Sequence, residues 1–168
     1  MNKIIASIFI FLLLILQIAF MPHLAVFGVF PDILLAAIMI LAVIRGGKWV
    51  FILAFFSGLA LDIFSNHPFG IYALDFILLV WLTEYVGKNI FRATDLSGQI
   101  SLLAIACVVF TSLNLFLIKV FYWLGLGNSL AFWHNFLVIG ILEISYNFIL
   151  AVLGLIIFKK IHGLFAAI

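Results

Sequence analysis

The chain has 168 residues, of which 68% are hydrophobic and 8% charged, with a formal net charge of +2. A soluble domain carries roughly 45–50% apolar and about 25% charged residues, so composition excludes a water-soluble globule and makes lipid the solvent. The small net charge and the lack of a long basic run argue against nucleic acid, and one cysteine, Cys107, excludes an intramolecular disulfide.

In chain order, the first apolar segment is Ile4–Phe20. It follows Met1-Asn2-Lys3 and resembles a signal peptide. It is longer than the roughly 7–15 residues of a signal core, and Phe20, Met21, Pro22 and His23 form a poor cleavage site. A retained helix is therefore expected. The next segments are 32–44, 49–64, 71–86, 99–124 and 135–158. Breaks fall at Met21 to Pro31, Arg45-Gly46-Gly47-Lys48, Asn66 to Gly70, Gly87 to Gly98 and Gly125 to Asn128. A span needs about 17–25 residues to cross roughly 30 Å. The second, third and fourth segments are short by that measure; each can recruit flanking residues or pack inside the bundle where the bilayer thins. The sequence thus predicts an all-α polytopic bundle of six transmembrane helices in a single integral membrane domain, 1–168.

Charge placement supports this count. Lys3, Arg45, Lys48, Lys88, Arg92, Lys159 and Lys160 fall on one side of a six-span arrangement, leaving Lys119 on the other. That asymmetry places both termini in the cytoplasm. Trp49 and Tyr85 then stand near the inner boundary. Tyr122, Trp123 and Trp133 stand near the outer one, where aromatic belts form.

Within the helices, polar groups gather toward the outer half. Asp32 opens the second segment behind Pro31 and is read as an interfacial N-cap. Asp62 closes the third, Asp75 lies about one turn into the fourth, and Lys119 is near the outer end of the fifth. Glu143 is about two turns into the sixth, where its depth demands a partner or a proton. A charge at a helix centre costs about 2.5–3.5 kcal/mol. Lys119 can pair with Asp62, Asp75 or Glu143, or snorkel to the headgroups. Asp75, Lys119, Glu143 and Asn147 form a candidate intramembrane polar network. Ala54, Gly58 and Asp62 recur every four residues as a small-residue stripe. Gly140, Glu143, Asn147, Ala151 and Gly154 form another. Such stripes pack helices closely, either inside the bundle or against a partner helix. Thr111, Ser112 and Asn114 can hydrogen-bond across helices. Pro68-Phe69-Gly70 reads as a tight outer turn.

The usual catalytic signatures are absent: no zinc-protease His-Glu-x-x-His, no Gly-x-Ser-x-Gly and no phosphate-binding loop. His23, His67, His134 and His162 are dispersed, which disfavours a metal site. Ser57-Gly58 resembles part of an intramembrane serine protease motif, but Phe55 stands where glycine is needed. Asp62 and Asp75 lack the surroundings of a protease dyad. No enzyme, cofactor or metal is expected.

Pro31-Asp32-Ile33-Leu34-Leu35, then Phe56-Ser57-Gly58-Leu59-Ala60-Leu61-Asp62-Ile63-Phe64-Ser65, then Pro68-Phe69-Gly70 and Ala73-Leu74, resemble MreD, the bacterial rod shape-determining membrane protein family. The motif match runs from Pro31 to Leu74, and beyond Leu74 no motif is matched. The resemblance implies a non-enzymatic scaffold in the bacterial plasma membrane that docks a single-span, coiled-coil MreC-like partner. Through it the scaffold would act with an MreB-like actin and a peptidoglycan polymerase–transpeptidase pair. It also implies a bundle similar to the substrate-binding subunits of energy-coupling-factor transporters. Pro31, Asp32, Ala54, Gly58, Asp62, Pro68 and Gly70 are the candidate partner-binding or structural residues. The alternative is a small-ligand subunit of a vitamin-type transporter, with Asp75, Lys119, Trp123, His134 and Glu143 lining an outer pocket. Against it, Ala6 and Ala19 are too far apart to form the small-residue face by which such subunits reach their transport partner.

Overall fold

The computed structural model describes residues 3–25, 29–65, 68–91, 95–125 and 132–166. It contains six α-helices and, among the described residues, no strand. They are α1 (Lys3–Ala19), α2 (Ile33–Ile44), α3 (Lys48–Phe64), α4 (Ile71–Val86), α5 (Leu96–Trp123) and α6 (Phe132–Ala166). A short 3-10 turn, Met21–Leu24, follows α1. A π turn, Gly87–Phe91, prolongs α4.

All six apolar segments are helical, and the differences lie at the ends. α5 starts at Leu96 because Asp95 takes the N-cap position and Gly98 is absorbed. The π turn likewise shortens the expected break after Val86. α6 runs on past Lys159 and Lys160, since lysine is a good helix former whose charge does not by itself end a helix. At its other end α6 begins at Phe132, before the expected Asn135, so Glu143 lies about three turns into it rather than two.

Helix α2 sits at the centre, in contact with α1, α3, α4, α5 and α6. Leu34, Leu35, Ile38 and Met39 have no accessible surface. Its 12 residues rise only about 18 Å, so it is a core element enclosed by longer helices. Helices α5 and α6 carry apolar stretches long enough to cross a membrane: Leu96–Trp123 and Gly140–Lys160. Phe76 and Phe110 pack with centroids 5.9 Å apart and tie α4 to α5. The periphery is apolar too. Ile8, Phe11 and Leu12 on α1, Phe56 and Ile63 on α3, and Ile141 and Ile157 on α6 are all more than half exposed. An apolar rim of that extent marks an interaction with lipid or protein.

Candidate functional site

The polar residues of the Pro31–Leu74 region form two buried helix caps. An α-helix leaves its first N–H groups without internal partners, and away from water each must be satisfied by something else. At α2 three of them are satisfied by side chains. Asp32 N–H donates to Asn147 Oδ1 of α6 at 3.0 Å. Ile33 N–H donates to Gln17 Oε1 of α1 at 2.9 Å. Leu35 N–H donates to Asp32 Oδ1 at 2.8 Å. Gln17 Nε2 donates in turn to the Pro31 carbonyl at 3.3 Å. Asp32 is thus the expected N-cap, but not an interfacial one. It is 7% exposed and buried against Asn147, because the short α2 begins below the bundle surface.

At α4 the cap comes from another helix. Asp62 of α3 accepts from Tyr72 N–H on Oδ1 at 2.9 Å and from Ala73 N–H on Oδ2 at 3.1 Å. Both oxygens of this buried carboxylate face the positive end of the α4 dipole. Gly58, one turn earlier, makes this approach possible. A Cβ placed there would lie 2.6 Å from both Ala73 Cα and the Tyr72 carbonyl oxygen, and 2.7 Å from Ala73 N. Gly70 enters α4 at φ +102°, a conformation that side chains disfavour, and confirms the expected turn. Pro68 stands beside Phe69, which is 64% exposed at its tip.

The small-residue stripes are therefore internal, and neither is a free docking face for a partner helix. Ala54 is fully buried, and Gly58 and Asp62 are taken up by α4. On α6, Asn147 and Ala151 are buried. Gly140 faces Thr111 and Leu115 of α5, and Gly154 faces Ile40 of α2. The physical reason is proximity along the chain. A six-residue connection holds α3 and α4 together as antiparallel neighbours, so their small residues meet first.

The candidate intramembrane network is brought together in part. Asp75 has no accessible surface, and its Oδ2 accepts from Asn114 Nδ2 of α5 at 2.6 Å. Glu143 lies within coulombic range of Asp32 and of Asp75. Lys119 is exposed. From Asn114 it lies about 140° around α5, and Trp123 lies about 180° around. Trp123 is 88% exposed. Asp75, Lys119 and Trp123 thus do not line one pocket, and the side chain of His134 is outside the described residues. So are the side chains of His67, Arg92, Trp133 and His162. Ser112 bonds the Val108 carbonyl of its own helix and makes no cross-helix contact there. Among the described residues no group of three His, Cys, Asp or Glu side chains is placed to hold a metal.

Two contributors escaped the sequence reading. Gln17 was legible only as a polar residue in an otherwise apolar run. Glu84 of α4 accepts from the Gly47 amide and, at 2.9 Å, from Lys88 Nζ, so it fastens the α2–α3 turn to the end of α4. Comparison with family models, with curated proteins and with solved structures finds no match to this chain.

Proposed function

We propose that this chain is a non-enzymatic membrane scaffold of the MreD type. It spans the bacterial plasma membrane six times with both termini cytoplasmic, and it holds a single-span MreC-like partner within the rod-shape machinery. The reading is carried by one observation. The residues of the resemblance (Pro31, Asp32, Gly58, Asp62, Pro68 and Gly70) assemble as helix caps and close contacts that fix the same end of α2, α3 and α4. Their carboxylates hold backbone amides rather than facing a substrate cleft, which suits a rigid platform. Seven of eight basic residues lying on one side of six spans supports the topology.

With both stripes internal, the partner helix docks on the apolar rim. The 68–70 turn, with its exposed Phe69, offers the outer contact. A tagged chain purified from native membranes is expected to bring down a single-span coiled-coil protein. Phe69→Glu should weaken that capture while leaving the bundle folded, and cells carrying it should lose rod shape. Recovery of the chain without such a partner, but with a retained small molecule, would favour a transporter subunit instead.

A further inference from the structure

The Asp75 carboxylate is only half accounted for. Oδ2 is held by Asn114, but Oδ1 accepts no bond from the described residues and is buried with the rest of the side chain. A buried charged oxygen without a partner is costly, and in a native fold it signals an ion, a water or a proton. Thr111 supplies a second, independent sign. It is 2% exposed and its hydroxyl oxygen also has no bond. Helical hydroxyls normally bond the carbonyl one turn back, as Ser101, Ser112 and Ser145 do here at 3.0, 2.7 and 2.7 Å. Thr111 does not, and among the described residues it shares that with Thr83, a buried hydroxyl two turns further along α4 than Asp75.

Thr111 and Asn114 are three residues apart and share one side of α5. That side meets α4 through Asn114 and α6 at Gly140, where an added Cβ would be 3.8 Å from Thr111 Cγ2. Glu143, one turn further along α6 than Gly140, adds a second carboxylate within coulombic range of Asp75. Asp62 is within range of Asp75 too, and Asp32 within range of Glu143, but both are committed to helix N-termini. The side of α5 that meets α4 and α6 therefore gathers oxygen atoms and negative potential.

We propose that Asp75, with Thr111 and Asn114 of α5 and the nearby Glu143 of α6, forms an intramembrane site for a dehydrated monovalent cation of the Na⁺ class. Asp75 Oδ1 supplies the charged ligand, the Thr111 hydroxyl and the Asn114 side-chain carbonyl supply neutral oxygens, and Glu143 supplies field. Oxygen donors suit a hard cation. One charged ligand with neutral partners suits a monovalent ion, because Ca²⁺ takes six to eight oxygens, commonly from several carboxylates. The site is independent of the scaffold reading, and it gives the bundle's interior an ion-dependent stability.

The test uses the purified full chain in lipid nanodiscs, melted in NaCl, KCl or choline chloride at equal ionic strength. NaCl is expected to raise the melting temperature saturably over choline. Asp75→Asn, nearly isosteric, should abolish the shift. Thr111→Val should raise the half-saturating NaCl concentration about tenfold, and it keeps the test alive if Asp75→Asn does not fold. Equal melting in all three salts would overturn the proposal, as would an Na⁺ shift that survives in folded Asp75→Asn. So would an infrared band of a protonated carboxyl at neutral pH that ignores Na⁺ and vanishes in Asp75→Asn, since the site would then hold a proton.

Discussion

Replacing Gly58 with alanine tests the tightest approach at any of the described glycines. The new Cβ would sit 2.6 Å from the Tyr72 oxygen and from Ala73 Cα, where ordinary contact begins at 3.4 Å. The deficit is 3.4 − 2.6 = 0.8 Å. Both obstacles are backbone, so α3 and α4 must part by about that much. Parting lengthens the bonds from Tyr72 and Ala73 to Asp62, now 2.9 and 3.1 Å, past the roughly 3.2 Å limit of a good N–H···O bond. Overpacking alone costs about 1–3 kcal/mol. Each bond to a charged group contributes about 1.5–3 kcal/mol. Partial relaxation leaves a destabilisation of about 3 kcal/mol or more, near 6–12 °C at about 2–4 °C per kcal/mol.

The matched control is Gly140→Ala, another buried helical glycine, where the nearest atoms would be 3.8 and 3.9 Å away. It should melt within a degree or two of the parent. Thermal unfolding in detergent, followed by tryptophan fluorescence and size-exclusion recovery, reads both. Asp62→Ala and the double variant complete a cycle. Because Gly58→Ala already breaks the Asp62 bonds, the double variant should lose less than the sum of the singles. Equal melting of Gly58→Ala and Gly140→Ala, or strict additivity with Asp62→Ala, would refute the coupled contact.

The other predictions follow the same caps. Gln17→Leu and Asn147→Leu each strand a buried α2 amide and should destabilise by about 1–3 kcal/mol in the same melts, where surface substitutions elsewhere stay near zero. Gly70→Val forces a β-branched residue to φ +102° and should cost about 1–3 kcal/mol, with no effect on helix content by circular dichroism. Lys88→Ala removes an ion pair from a side chain that is 72% exposed, and its melting temperature should barely move. Cys107, 1% exposed with its sulfur 4.0 Å from Met39 Sδ, should resist maleimide in the folded bundle and react on unfolding. Fast labelling of the native protein would contradict its placement in the core.

Local chemistry made much of the fold legible. Six apolar runs with Gly and Pro punctuation gave six helices, because a chain this apolar can satisfy its backbone in lipid only within helices or a closed barrel. The Pro31-Asp32 pair announced an N-cap, and Pro68-Phe69-Gly70 announced a turn with a positive φ. Those features are decided by neighbours in sequence. The role of Asp62 was not. As a sequence feature it was a costly charge beside a small-residue stripe, open to a partner helix, to Lys119 or to catalysis. Only packing shows that its two oxygens meet two amides ten and eleven residues later, across a contact that needs Gly58 bare. Likewise, nothing along the chain links Gln17, Asp32 and Asn147, which are joined only when α1, α2 and α6 converge on one helix end. Sequence fixes where unsatisfied polar groups must arise, because composition and period set each helix and its ends. Which groups meet depends on helix packing, and only the tertiary structure decides that.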